Sequence, residues 1–131
     1  MTNLLFVYGT LRRAFAHPMH AVLTAESDYV GIAYYQGELY LVAHYPGVVC
    51  SPKPQHQVVG ELYQLTEPEH ILAVLDNYEE CSAEFPAPHE YRRELQQVTL
   101  ENGESVSAWV YVYNRDTRGL KLIPSGDFQS V

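Results

Sequence analysis

Two short stretches of this sequence hold residue types from which chemistry can be built: Tyr8-Gly9-Thr10-Leu11 near the start, and Glu79 at the end of an amphipathic segment. At Gly9 a run of β-formers, Leu4 to Tyr8, stops. A glycine at a strand end tolerates positive φ and lets a ligand approach bare backbone, and Thr10 sets a hydroxyl beside it. The same residues also read as an ordinary turn after a core strand. Glu79 offers a carboxylate. Against apolar surroundings a carboxylate is costly to ionise, so its pKa climbs and it becomes a proton acceptor and donor near neutrality.

Other familiar chemistry is absent. The chain has no Gly-x-Ser-x-Gly elbow, no Walker loop, no Gly-x-Gly-x-x-Gly after its first strand and no His-Glu-x-x-His. His17 and His20 share helical spacing, but no Cys, Asp or Glu nearby completes a zinc-like set. They read as a solvent-facing pair, and no metal is expected. Cys50 and Cys81 allow at most one disulfide and are expected to be reduced.

Whether Glu79 can do acid–base work depends on the helix that presents it. Thr66-Glu67-Pro68-Glu69 has capping-box spacing, which predicts Thr66 as N-cap and a helix running to about Glu79. With about 100° per residue and Ile71 as origin, Leu72, Val74, Leu75 and Tyr78 fill an arc from roughly 300° round to roughly 100°. Glu79 falls at about 80°, inside that arc, while Ala73, Asp76 and Glu80 fall outside it and are expected to point to water. If the helix frays one residue early, Glu79 turns to solvent or pairs with Arg92 or Arg93.

The remaining elements are mostly strands. A short helix over His17 to Leu23 carries Pro18 in its first turn. From Asp28 to Val49, Gly31, Gly37 and Gly47 punctuate a Tyr- and Val-rich stretch that reads as two or three short strands, with Tyr45-Pro46-Gly47 as a turn. Val58 to Leu65 is a strand with Gly60 as a candidate bulge. Cys81 to His89 is a loop. Glu90 to Leu100 and Glu104 to Tyr113 form a hairpin about Glu101-Asn102-Gly103, and the second of these is apolar or aromatic on both faces, as a central strand is. A tail from Lys121 docks at the end. The strand majority without βαβ alternation predicts an α+β fold with a curled or closed sheet.

Composition narrows the function classes. A length of 131 residues suits one domain, 1–131, and 47% hydrophobic against 18% charged residues places the chain in the globular range. The net charge of -8 argues against a nucleic-acid partner, because such affinity rests on Lys and Arg contacts. No apolar run approaches the roughly 18 residues of a membrane span, and no basic region precedes an apolar leader, so a soluble cytoplasmic protein is expected.

Taken together, Tyr8-Gly9-Thr10-Leu11, Leu75-Asp76-Asn77-Tyr78-Glu79 and Tyr91-Arg92-Arg93, in that order, resemble the gamma-glutamylcyclotransferase-like superfamily, in particular its small gamma-glutamylamine cyclotransferase-like branch. Trp109-Val110-Tyr111-Val112-Tyr113 and Ser125-Gly126-Asp127-Phe128 are similar to that branch as well, so the resemblance spans almost the whole chain. It implies a small mixed β-barrel of about six strands with flanking helices. It also implies a cyclising transferase or lyase that turns a γ-glutamyl amine or amino acid into 5-oxoproline and free amine without a cofactor. Tyr8, Gly9, Thr10, Leu11 and Tyr91 would bind the substrate, with the amides of Gly9, Thr10 and Leu11 on its α-carboxylate, and Glu79 would be the catalytic general acid/base. A small-molecule partner and a monomer or weak homodimer are expected. Two departures stand out: Glu80 occupies a position where the family often has glycine, and the loop from Cys81 to Glu90 is long for the branch. They leave a second reading, a small-molecule-binding module without turnover on the same fold. A third reading, a Tyr-rich interaction protein, would lack a pocket between the first turn and the helix end.

Overall fold

The computed structural model describes residues 2–15, 17–82 and 84–130. Its strands, in chain order, are β1 (Leu4–Val7), β2 (Ser27–Leu41), β3 (Pro46–Cys50), β4 (Gln57–Leu65), β5 (Tyr91–Leu100), β6 (Ser105–Tyr113) and β7 (Lys121–Leu122), and its helices are α1 (Pro18–Ala25) and α2 (Pro68–Tyr78). The strands pair as β1-β4-β2-β3-β6-β5, with β1 also against β6 and β2 also against β5. Those two extra pairings close the sheet into a barrel. The contacts of β6 with β1 and β3 are parallel and the other pairings antiparallel, so the barrel is mixed and the fold α+β. The small strand β7 takes the number to seven among the described residues.

Alternation along the strands divides the core in two. Phe6 of β1 and Ala108, Val110 and Val112 of β6 join Leu62 and Val98 inside the barrel. Leu5 and Val7, together with Tyr111 and Tyr113, face the other way and pack under Leu23 of α1 and Ile71, Leu72 and Leu75 of α2. Because successive side chains on a strand point to opposite faces, a strand apolar on both faces serves both cores at once, as the pattern of β6 predicts.

Several local expectations are corrected. The stretch read as two or three short strands does hold two, but the first, β2, is not short: it runs fifteen residues before β3 follows. Gly31 marks a shift in its register with β4 rather than a break, and Gly37 runs through in strand conformation where an added Cβ would meet the Val49 carbonyl oxygen at 2.5 Å. Pro46 and Gly47 belong to β3; the turn lies just before them, where Val42 N–H donates to the Tyr45 carbonyl. Gly60 is no bulge, since it pairs in register with Ala33, and its bare Cα makes room for the Phe6 ring and the Val7 carbonyl. Nor does the capping box form. The N-cap of α2 is Glu67, and the Thr66 hydroxyl donates instead to the Glu26 carbonyl at 2.9 Å.

Candidate functional site

At the end of β1 the chain turns at Gly9–Arg12, closed by Arg12 N–H donating to the Gly9 carbonyl at 3.0 Å. Gly9 has no positive φ; it is needed because an added Cβ would stand 3.0 Å from the Pro46 ring. Tyr8, Gly9, Thr10 and Leu11 line a cavity of about 380 Å³, counting its open mouth, whose other walls include Pro46, Tyr91, Tyr111 and Glu79. Thus Glu79 and the five residues that the resemblance assigns to substrate binding line one cavity. Among the described residues, no hydrogen bond of the turn uses the N–H of Gly9, Thr10 or Leu11 as donor. Backbone donors left free beside a cavity are ready-made anion ligands.

Glu79 enters from the end of α2. It stands just past the last helical residue, yet its N–H still donates to the Leu75 carbonyl at 2.8 Å, so helical phase carries through and brings the side chain to the cavity wall. Ile71, Leu72 and Leu75 are buried as their arc predicts, whereas Tyr78 stays exposed with its ring edge against His17. Neither arginine offered as a partner takes Glu79: Arg92 pairs with Glu94 and Arg93 with Asp76. Among the described residues the Glu79 carboxyl has no hydrogen bond or ion pair. Burial is the main cause that pushes its pKa up to about 7, with the charges of Glu90, Asp76 and Glu80 adding in that order. A group titrating there is well placed to take and return a proton near neutrality.

The tyrosines around Glu79 are structural as well as lining. Tyr8 Oη–H donates to the Tyr111 carbonyl and Tyr91 Oη–H to the Pro46 carbonyl at 2.6 Å. Burial raises the pKa of both, and the Glu79 charge adds to it, so each stays a neutral phenol whose proton is already committed to backbone. They shape the cavity and lower its polarity.

A family model described as "Gamma-glutamyl cyclotransferase, AIG2-like" matches residues 5–130. The chain belongs to that family. It is 37% identical over 126 residues to the gamma-glutamylcyclotransferase family protein YtfP of Escherichia coli strain K12, covering 95% of this chain and 94% of that one. A putative gamma-glutamylcyclotransferase of Vibrio cholerae is 37% identical over 130 residues, covering 98% and 96%. The solution structure of YtfP superposes with a TM-score of 0.63 at 34% identity, over 95% of each chain. YkqA from Bacillus subtilis gives a TM-score of 0.73 at 28% identity, covering 98% of this chain but 40% of that longer one.

In this cyclotransferase-family chain two polar clusters support the cavity from behind, and sequence patterning revealed neither. In the first, buried Glu61 of β4 accepts from Arg12 Nε at 3.3 Å, Arg13 N–H at 3.0 Å and Tyr63 Oη–H at 2.9 Å, while Arg12 Nη1 reaches Asp127 at 2.9 Å. This cluster anchors the far side of the Gly9 turn. The one available signal was a glutamate inside an apolar strand. In the second cluster, Asp76 does not point to water. It accepts from Arg93 at 2.8 and 3.1 Å and from Tyr111 Oη–H at 2.7 Å, because the flank of α2 beside its apolar arc rests on β5 and β6.

The remaining candidates fall away from the cavity's chemistry. His17 and His20 are not a solvent-facing pair: His17 Nδ1 accepts from Met19 N–H as the N-cap of α1, and His20 Nδ1 lies 2.7 Å from the Leu11 carbonyl. Among the described residues no cluster of three His, Cys, Asp or Glu side chains forms a metal site. Burial and Asp76 push the Cys81 thiol up to about 11, which leaves it a poor nucleophile at neutral pH. No described helix is long and apolar enough to cross a membrane.

Proposed function

We propose that this chain is a γ-glutamyl cyclotransferase. It converts a γ-glutamyl amine or γ-glutamyl amino acid into 5-oxoproline and the free amine, with Glu79 as general base and then general acid. One observation carries this reading: the unpartnered carboxyl of Glu79 lines the same cavity as the uncommitted amides of Gly9, Thr10 and Leu11.

The chemistry asks for little more. In a γ-glutamyl amide the nucleophile is tethered, so holding the substrate folded back on itself turns the reaction into a ring closure between near neighbours. The amides of Gly9, Thr10 and Leu11 hold the α-carboxylate, and Tyr8 and Tyr91 wall the folded chain. Glu79 removes a proton from the α-ammonium, and the freed amine attacks the γ-carbonyl carbon, forming the new C–N bond. As the tetrahedral intermediate collapses, the old C–N bond breaks and Glu79 returns the proton to the departing nitrogen, while the ring nitrogen gives up its second proton to the released amine, which leaves as an ammonium ion. Acid–base help of this kind is worth about 10² to 10⁴ in rate. This route calls on no cofactor, and residues 1–131 act as one domain.

The test is release of 5-oxoproline from a panel of γ-glutamyl amines and amino acids by the wild-type chain and by Glu79→Gln. Turnover of at least one compound, lost by about 10² or more in Glu79→Gln with binding retained, supports the assignment. No product from any compound reduces the chain to a binding module on this fold. Turnover that survives in Glu79→Gln removes Glu79 from the mechanism.

A further inference from the structure

Apolar packing holds α2 down on the barrel, but it is non-directional and does not by itself fix how the helix is rotated. A hydrogen bond does, because it sets both a distance and an angle. Asp76 supplies that tether. Its Oδ1 accepts from Tyr111 Oη–H of β6 at 2.7 Å and from Arg93 Nε of β5 at 2.8 Å, and its Oδ2 accepts from Arg93 Nη2 at 3.1 Å. Arg93 and Tyr111 are partners in the β5–β6 register, so one carboxylate grips a cross-strand pair. The Arg93 guanidinium is itself steadied 4.4 Å over the Trp109 ring. Among the described residues no other side chain of α2 forms a hydrogen bond or ion pair with a strand: His70 meets Glu26, Tyr78 meets His17 and Asn77 meets Ser82.

Both ends of this tether belong to the reaction cavity. Tyr111 lines it, and the Tyr111 carbonyl accepts from Tyr8 Oη–H, so a shift of Tyr111 is passed to a second wall. On the helix side Asp76 precedes Glu79 by one turn, a separation at which side chains are neighbours. The polar groups facing Glu79 are Glu80 and Cys81 beyond the helix, Glu90 and Tyr91 at the start of β5, Tyr8 at the end of β1, and Asp76. After burial, the charges of Glu90, Asp76 and Glu80 keep the proton on Glu79, and that of Asp76 is felt there although Arg93 pairs with it. Those facing Asp76 are Arg93, the Tyr111 phenol, which burial keeps neutral, and the Cys81 thiol 3.9 Å away.

Building on the cyclotransferase reading, we propose that Asp76 is a positioning residue for the cyclisation: it clamps the end of α2 to Arg93 and Tyr111, fixes the Glu79 carboxyl against the cavity wall, and sets a negative charge one helical turn from it. Asp76 does not line the cavity and acts through its partners. A group that takes a proton from one nitrogen and returns it to another must hold its place, so loosening the clamp costs rate rather than binding. The charge acts separately. It disfavours the carboxylate form, so Glu79 without it becomes a base at lower pH.

Asp76→Asn keeps the side chain's shape and one acceptor oxygen while removing its charge. kcat and KM are read against pH from 5-oxoproline release, with γ-glutamylbutylamide and γ-glutamylalanine as substrates. The titration of Glu79 is read without substrate by carboxyl-carbon NMR, its signal identified by its loss in Glu79→Gln. The rising limb of kcat/KM and the NMR midpoint should both move to lower pH by roughly half a unit, a shift that a merely structural role would not produce. At alkaline pH, where Glu79 is ionised in both proteins, kcat should fall about tenfold with KM within about twofold. Tyr111→Phe loses only a hydroxyl that meets Asp76 and leaves the charges of Asp76 and Arg93 in place, so the midpoint should stay while kcat falls about fivefold. An unmoved midpoint in Asp76→Asn, or an unchanged kcat in Tyr111→Phe, overturns the proposal, and the second holds even if Asp76→Asn does not fold. If neither compound yields 5-oxoproline, the cyclotransferase reading fails for them, and the NMR midpoint still decides whether Asp76 acts on Glu79.

Discussion

Replacing Glu79 by Gln should stabilise the fold, and by an amount that depends on pH in a specific direction. The Glu79 carboxyl titrates near 7 in the folded chain against an ordinary 4.5, chiefly because burial disfavours its charge. Between those two values the native state binds the proton that the unfolded state has lost, so stability falls as pH rises through the window and levels off above it. The full cost at alkaline pH is roughly 3 kcal/mol. Gln is shaped like the protonated acid and does not titrate. At about pH 5 the variant and wild type should therefore melt close together, and at about pH 8.5 the variant should gain most of that energy. For a domain of this size each kcal/mol moves Tm by roughly 3 to 5 °C, so the gap should open to about 10 °C. Thermal melts of the two proteins side by side cancel every other titrating group they share. A gap that does not change with pH, or a variant less stable than wild type at about pH 8.5, would refute the placement of Glu79 in a desolvated wall.

Two further outcomes follow from neighbouring geometry. Glu80 has φ 58, a left-handed conformation that costs a non-glycine residue about 1 to 2 kcal/mol, part of which glycine returns through its freer unfolded chain. Glu80→Gly should thus raise stability by about 0.5 to 1 kcal/mol in denaturant titrations, and loss of stability would contradict that backbone. Asp127→Asn removes the charge that Arg12 Nη1 meets at 2.9 Å and loosens the support of the Gly9 turn. It should cost about 1 to 2 kcal/mol and raise KM more than it lowers kcat, a split that steady-state kinetics reads directly.

What could be read from sequence alone depended on the range of the interaction. α2 and the phase of Glu79 follow from a repeat within eleven residues, and the β5–β6 hairpin from the turn at Gly103, which has φ 89. Both were legible because the physics is local. Barrel closure rests on pairings such as Leu5 with Trp109 and Ala33 with Leu100, which no window of neighbouring residues contains. Gly31 and Gly37 misled for a related reason. In isolation glycine signals a break, but in β2 one accommodates a register shift and the other a close carbonyl. The site divides the same way. The Tyr8 to Leu11 turn and Glu79 were visible, but Glu61 holding Arg12 across 49 positions and Asp76 holding Tyr111 across 35 were not. A helical arc separates core from not-core; it does not say that the not-core flank lies against a strand carrying an arginine.

Glu79 and Glu80 together concentrate two costs at one helix end, a carboxyl kept out of water and a left-handed glutamate beside it, and the two are coupled. The Glu80 charge is among the causes that raise the pKa of Glu79, behind burial, Glu90 and Asp76. Above about pH 8, where Glu79 is ionised, removing either charge relieves the same repulsion, so the gains of Glu79→Gln and Glu80→Gly should not add. Their double variant should fall short of the sum by a few tenths of a kcal/mol. At about pH 5 Glu79 is protonated, the shared repulsion is gone, and the two changes should add within error. Chemical denaturation of the four proteins at the two pH values measures this. Strict additivity at both would mean that the Glu80 carboxylate stands too far from Glu79 to influence its proton, and would remove Glu80 from any part in tuning the site.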